Sequence, residues 1–225
     1  MKHILRDIIP PIVWRSFSRL PKVIINSSTQ EPQFDYGVEQ PPEFYDQRYN
    51  QGEHWKEHYT DSYYYPLWTV IADRIRHIGA QRILDIGCGP GQVACLLRDI
   101  GVREYKGLDF STARVARARA VCPEYEFIAA NVFEDNLLET YHYDCVLIME
   151  FLEHIEQDVE VIKRVRPGTT VLATVPNFPD AGHVRHFDSV NEVKVRYSPL
   201  FSKLEVTTIL ANKHGKTYYI LQGTR

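Results

Sequence analysis

The chain has 225 residues, 44% of them apolar and 24% charged, with a formal net charge of −3. That size allows one α/β core and a short appendage but hardly two independent domains, and the composition excludes wholesale disorder. The acidic balance also argues against nucleic acid as a general partner, because non-specific binding to it rests on Lys and Arg meeting phosphates.

Residues 1–30 form a first zone, with Lys2, Arg6, Arg15, Arg19 and Lys22 set against Asp7 alone. Its apolar residues, from Ile4 and Leu5 to Phe17 and Leu20, recur at roughly helical spacing. A basic amphipathic segment at 2–22 suits peripheral contact with an anionic membrane surface, and equally suits packing on the core or on a second subunit of a homodimer. Its apolar run is broken by Pro10-Pro11 and Arg15, and no small-residue cleavage site follows, so a signal peptide is not expected. No uninterrupted apolar run approaches the ~18–20 residues that cross a bilayer. The expected location is the cytoplasm, with contact at the inner face of the membrane if the segment serves as an anchor.

Residues 31–65 reverse the charge, with eight acids against Arg48 and Lys56, and they are crowded with aromatic side chains from Phe44 to Tyr65. From Pro66 the pattern becomes regular and defines a core domain over 66–225. Pro66 suits the first turn of a helix, Leu67, Val70, Ile71, Ile75 and Ile78 mark one face, and Gly79 stops it. Strand-like segments follow at 82–87, 105–109, 125–130, 143–149 and 169–175, with helical stretches at about 91–100, 112–121 and 155–165. This alternation predicts an α/β, Rossmann-like doubly wound sheet, mostly parallel and covered on both faces. Two last strands, at about 203–211 and 216–223, are separated only by Asn212-Lys213-His214-Gly215. So short a loop makes an antiparallel hairpin, since a parallel crossover needs a dozen or more residues.

Cys88, Cys95, Cys122 and Cys145 form no C-x-x-C pair and lie in or beside apolar segments, as buried reduced thiols of a cytoplasmic protein do. The first strand runs into Gly87-Cys88-Gly89-Pro90-Gly91, and Gln92 to Leu97 opens a helix. Glycines there allow a tight turn and close approach of a ligand, and the helix N-terminus offers free N–H groups to a carboxylate or phosphate. The next strand ends in Asp109, 22 residues beyond Gly87, where a carboxylate can accept both hydroxyls of an adenosine ribose. Nicotinamide enzymes carry G-x-G-x-x-G, whereas this loop reads G-x-G-x-G with Gln92 where the third glycine would be due.

With Asp85 two residues ahead of the first glycine, Ile83-Leu84-Asp85-Ile86-Gly87-Cys88-Gly89-Pro90-Gly91 resembles the first motif of class I S-adenosylmethionine-dependent methyltransferases. Leu108-Asp109-Phe110-Ser111 resembles their second motif, Phe127 to Val132 the adenine-flanking segment, Tyr143 to Glu150 the fourth-motif strand, and Arg166-Pro167-Gly168 the turn before the fifth strand. The closing hairpin is also a hallmark of that seven-strand fold, and the resemblance covers about residues 66–225. It implies S-adenosyl-L-methionine as cofactor, held by the Asp85, Gly87, Gly89 and Gly91 loop at its methionine end. Asp109 would bind the ribose, Phe110, Asn131 and Val132 would flank the adenine, and Glu150 would line the pocket. Phe44-Tyr45-Asp46-Gln47-Arg48-Tyr49 resembles the start of the lid that often precedes the first core helix.

Glu150-Phe151-Leu152-Glu153-His154 follows the fourth strand, at the end where open α/β sheets bind ligands. Continued as a helix, it would put Glu150, Glu153 and His154 on one face, a set able to bind a divalent metal. Similar clusters have metal roles in ubiquinone-pathway O-methyltransferases and in small-RNA 2′-O-methyltransferases, and the RNA enzymes use a further His from after the fifth strand. Metal-free methyltransferases carry the same E-x-x-E-H, and that reading is preferred here. His183 or His186, in the segment after the fifth strand, is expected to act with His154 in catalysis, as general base on a substrate hydroxyl. The leading expectation is methylation of a small-molecule hydroxyl, on a sugar, a glycolipid precursor or another natural product. The alternatives are an RNA 2′-O-methyltransferase, which the absence of a basic stripe disfavours, and a methyltransferase-like protein that binds cofactor without chemistry.

Overall fold

The computed structural model describes residues 36–211 and 216–225. The expected amphipathic segment 1–30 lies outside the described residues, as do 31–35 of the acidic zone and the hairpin turn 212–215.

Helix α1 (Pro42–Gln51) comes first, with proline in its opening turn and Tyr45 and Tyr49, four apart on one face, buried. Two 3₁₀ turns, Glu53–Trp55 and Tyr59–Asp61, lead into α2 (Tyr65–Ile78). The expected apolar face of α2 is the buried one, carrying Leu67, Trp68, Ile71, Ala72 and Ile75. Gly79 ends the helix at φ 74°, a left-handed conformation that glycine adopts without a Cβ penalty.

The core then alternates: β1 (Arg82–Ile86), α3 (Gln92–Asp99), β2 (Glu104–Asp109), α4 (Thr112–Val121), β3 (Glu126–Ala129), α5 (Leu137–Thr140) and β4 (Cys145–Ile148). It continues through α6 (Asp158–Arg164), β5 (Thr170–Pro176), α7 (Val190–Tyr197), β6 (Lys203–Leu210) and β7 (Thr217–Thr224). The seven strands form one sheet in the order β3-β2-β1-β4-β5-β7-β6. Neighbours from β3 to β5 are parallel, while β7 pairs antiparallel with both β5 and β6. The expected mixed sheet with its closing antiparallel hairpin is therefore the observed one, and it is the class I methyltransferase fold.

Successive strand residues face opposite sides of the sheet, so each strand feeds two cores. Ile83 and Leu147 join Ile71, Ile75, Leu97 and Val115 on one side, and Leu84 and Ile148 join Ile162, Val193 and Leu221 on the other. All four cysteines are buried and unbridged, as expected. Among the described residues no helix is long and apolar enough to cross a membrane.

Two helical expectations change. The helix expected at about 155–165 is the shorter α6, and a 3₁₀ turn, Leu152–His154, precedes it. Helices α1, α5 and α7 were not foreseen, although before α7 Ser189 and Glu192 form the S-x-x-E pattern of a helix start. The Ser189 hydroxyl accepts from the Glu192 N–H at 3.2 Å, and the Glu192 carboxylate accepts from the Asp188 N–H at 2.8 Å.

Candidate active site

The C-terminal ends of β1, β2 and β4 open on one cavity, with about 1550 Å³ of empty space including its mouth. Its floor is the glycine loop with Asp85 and Asp109, and its roof comes from residues before α2, among them Tyr45, Arg48, Trp55 and Tyr63.

The glycine loop turns between β1 and α3, tied to β2 by the N–H groups of Gly87 and Cys88, which both donate to the Leu108 carbonyl (2.7 and 3.1 Å). Gly89 has φ 56°, and a Cβ built there would meet nothing within 4 Å, so its surface is left to a ligand. Gly91 differs from its expected role. It is not on the cavity wall, and a Cβ there would lie 2.9 Å from the Cα of Ala118, so it serves close packing of the loop against α4. Gln92 reaches toward the roof instead, donating to the carbonyls of Glu57 (3.0 Å) and His54 (3.4 Å).

Asp85 and Asp109 are 2% and 5% exposed. Asp109 is held by the N–H groups of Gly89 and Ser111, both at 2.9 Å, one to each carboxylate oxygen. Each oxygen keeps a further lone pair for a ligand hydroxyl. Burial raises the carboxyls of both acids, that of Asp85 to about 7, while the guanidinium of Arg114 draws Asp109 back down. Phe110, Asn131 and Val132 line the same cavity. The side-chain oxygen of Asn131 is partly used already, accepting from the Phe133 N–H at 3.0 Å.

The E-x-x-E-H segment departs from the expected helix. Glu150 takes φ 49°, a left-handed conformation rare outside glycine and often found at functional sites. Thr174 of β5 holds it there: the Thr174 hydroxyl accepts from the Glu150 N–H and donates to its carboxylate, each at 2.9 Å. Burial pushes the Glu150 carboxyl up to about 8. This backbone reversal separates the expected trio, so Glu150 does not join Glu153 and His154 as a ligand set.

His183 takes its place. The ligand atoms of Glu153, His154 and His183 all lie within 4.8 Å of one another. Glu153 is fully buried, and neither carboxylate oxygen has a hydrogen-bond partner. Nδ1 of His154 lies 2.9 Å from the Gly182 carbonyl, and Nδ1 of His183 lies 3.2 Å from that of Phe178. A carbonyl only accepts, so each Nδ1 carries the proton and each Nε2 keeps a free lone pair. Burial lowers His154 to about 3 and His183 to about 4, which keeps both rings neutral. A buried acid without a donor beside two neutral, oriented imidazoles suits a divalent cation, with backbone carbonyls as the outer partners that fix the rings.

His186, the other expected base, is not on the cavity wall. Its Nδ1 lies 2.7 Å from the Tyr36 hydroxyl and its Nε2 lies 3.6 Å from Asp188. Sequence reasoning also passed over Thr174, Arg114 and Tyr105, whose side chains act through tertiary contacts that no spacing announces.

Residues 83–168 match the family model of a methyltransferase domain. A probable S-adenosylmethionine-dependent methyltransferase of Mycolicibacterium smegmatis is 30% identical over 122 residues, which are 52% of this chain and 47% of that protein. A ubiquinone biosynthesis O-methyltransferase of Paraburkholderia phytofirmans is 32% identical over 122 residues, 50% of this chain and 51% of that protein. The chain spans about half the length of these curated relatives. Among solved structures, the 1,6-didemethyltoxoflavin-N1-methyltransferase of Burkholderia thailandensis, with its substrate and S-adenosylhomocysteine bound, superposes with a TM-score of 0.62. It is 17% identical and aligned over 84% of this chain and 93% of that one, a likeness that speaks for the fold.

Proposed function

We propose that this chain, which carries a class I S-adenosylmethionine-dependent methyltransferase domain, transfers a methyl group to a hydroxyl of a small-molecule acceptor. One observation carries the reading: Gly89, Asp85 and Asp109 line the same cavity as Glu150, His154 and His183. Cofactor-type and acid–base groups thus share one cavity. S-adenosylmethionine supplies a methyl group already activated on a sulfonium. The protein has to hold the acceptor oxygen in line with that carbon, which can be worth about 7–11 kcal/mol, and exclude competing water.

The roof suits this task. Tyr45, Trp55, Tyr63, Tyr64 and Trp68 give the cavity an aromatic wall with several hydroxyls, which fits a sugar face or an aromatic ring. His183, neutral and with Nε2 open, can accept the acceptor's proton. Glu150, held protonated near neutral pH, can donate a hydrogen bond to the acceptor.

A second reading of the same atoms is favoured by the unpartnered Glu153 carboxylate. Glu153 and the Nε2 atoms of His154 and His183 would hold a divalent cation, and Glu150 would stay with Thr174. Such a cation would polarise an acceptor hydroxyl as a Lewis acid. His183 would then be occupied as a ligand and no longer serve as base.

Titration calorimetry with S-adenosylmethionine and S-adenosylhomocysteine, joined to a labelled-methyl assay over phenols, sugars and RNA, tests the proposal. Tight cofactor binding with label in a phenol or sugar is expected. Label in RNA alone would favour 2′-O-methylation, and binding without any transfer would favour a non-catalytic role.

A further inference from the structure

Tyr105 sits on β2 behind the glycine loop and does not line the cavity. Its hydroxyl donates to Oδ2 of Asp85 at 2.5 Å. The other oxygen, Oδ1, is buried and has no hydrogen-bond partner, although Asp85 is on the cavity wall. A buried carboxylate oxygen without a donor is costly, and such groups are rare unless a ligand completes them. The Tyr105 ring is fixed independently of Asp85, stacked on Tyr125 with centroids 5.1 Å apart and tilted against Phe127 at 5.7 Å. Packing therefore aims the hydroxyl at one oxygen and leaves the other without a partner.

We propose that Tyr105 is a positioning residue of the cofactor site: it orients Asp85 as a carboxylate whose unpartnered Oδ1 receives the ammonium group of an amino-acid-bearing nucleoside. The inference rests on the S-adenosylmethionine reading of the cavity and adds a side chain that does not touch the ligand. The ionisable groups facing Asp85 are Tyr105 and Asp109 on β2, Cys88 in the loop and Cys145 on β4. Asp109 and burial both oppose ionisation of Asp85, and the Tyr105 hydroxyl is the group that favours it. Without that hydroxyl, less of Asp85 is ionised at neutral pH and its orientation is free to change.

The test compares Tyr105→Phe with the unaltered protein by calorimetric titration of two ligands from about pH 6 to 8.5, across the range in which Asp85 titrates. S-adenosylhomocysteine carries the ammonium group, and 5′-deoxy-5′-methylthioadenosine lacks the whole amino-acid end. The variant is expected to bind S-adenosylhomocysteine about tenfold or more weakly at neutral pH, the size of one charge-assisted hydrogen bond, and to recover part of the loss at higher pH. Methylthioadenosine affinity should not move. Equal losses for both ligands, or no loss for either, overturn the proposal. Should Tyr105→Phe not fold, the unaltered protein decides: S-adenosylhomocysteine affinity must rise with pH while methylthioadenosine affinity stays flat, and two flat profiles overturn it. If the unaltered protein binds neither ligand, the cofactor reading itself fails and takes this inference with it. If it binds methylthioadenosine but not S-adenosylhomocysteine, only the role given to Asp85 and Tyr105 fails.

Discussion

The hydroxyl of Ser111, at the head of α4, donates a hydrogen bond to the carboxylate of Asp46 in α1. The backbone N–H of the same serine donates to Asp109 at 2.9 Å, so one residue joins the roof of the cavity to the buried acid at the end of β2. Nearby, the Arg114 guanidinium lies 5.1 Å from the ring centres of both Tyr45 and Trp55, a cation–π contact to each side of the roof.

Replacing Asp46 by Ala removes the acceptor for Ser111 and for the Ala113 N–H at 3.4 Å. Net losses of about 1–2 kcal/mol are expected for contacts of this kind, enough for a roughly tenfold weaker hold on α1. S-adenosylhomocysteine should bind correspondingly less tightly, and limited proteolysis should cut within 36–64 faster. The thermal midpoint of the sheet domain should hardly change. Unaltered affinity and unaltered cleavage together would show that this contact does not control the roof.

Asp85 predicts a pH dependence whose sign can be worked out. Its carboxyl ionises near 3.8 in the unfolded chain and at about 7 in the folded one. Below the lower value it is protonated in both states and contributes nothing. Between the two values the unfolded chain releases the proton first, so stability falls as pH rises, and the full penalty is present above about 7. Asp85→Asn should therefore raise the midpoint of the ligand-free protein at pH 8, by about 2–4 °C per kcal/mol recovered in a chain of this length, and leave it unchanged near pH 4. Scanning calorimetry at both pH values checks this. A variant less stable at pH 8 would mean that the charged carboxylate is better satisfied than its burial indicates.

The glycine loop, Asp109 and the hairpin were legible because each is a local pattern: a strand, a fixed spacing and a turn too short for a crossover. The metal-type cluster was only half legible. Glu153 and His154 are neighbours in sequence, but their partner His183 arrives from beyond β5, and Glu150 leaves the set because of one backbone angle held by Thr174. No periodicity encodes that angle. Helical spacing assumed continuous α geometry from Glu150 onward, and Thr174, 24 residues away, overrules it. Tyr105 was hidden for a related reason: it reads as an ordinary aromatic strand residue until the sheet sets it beside Asp85.

The unpartnered Glu153 makes opposite predictions for two conditions. With Co²⁺ or Mn²⁺ added, binding by calorimetry and a higher midpoint are expected, because the cation supplies the missing partner. Without metal, Glu153→Gln should at least match the unaltered protein in stability, since burial and the neighbouring Glu150 already push the Glu153 carboxyl well up toward its neutral form and the amide has no charge to desolvate. That substitution and His183→Ala should each abolish the metal-induced rise. If neither metal binds at micromolar concentration and EDTA leaves methyl transfer intact, His183 keeps the role of base.

Arg185 ties together the two segments that carry this cluster. It lies in the segment that carries His183, and its guanidinium donates to the carbonyls of Leu152 (2.7 Å) and Ile155 (2.5 Å), on either side of Glu153 and His154. The backbone ties the same two segments together, since the Val184 N–H donates to the Glu153 carbonyl at 2.7 Å. Behind Arg185, the fully buried Asp158 accepts from Arg196 Nε (2.7 Å), Arg196 Nη2 (2.6 Å) and the Tyr197 hydroxyl (2.7 Å), and lies 3.4 Å from Arg185 itself. Asp158→Ala leaves these donors facing an empty site, and breaking a buried pair in this way costs about 3–5 kcal/mol. It should lower the midpoint strongly, whatever the ligand. Arg185→Met keeps most of the apolar stem, leaves Asp158 with Arg196 and Tyr197, and should cost less. Its effect should fall instead on turnover and metal affinity, with S-adenosylhomocysteine affinity nearly unchanged, because Asp85 and Asp109 sit on other strands. Equal losses of cofactor affinity and turnover in Arg185→Met would mean that the segment supports the whole cavity rather than its acceptor end.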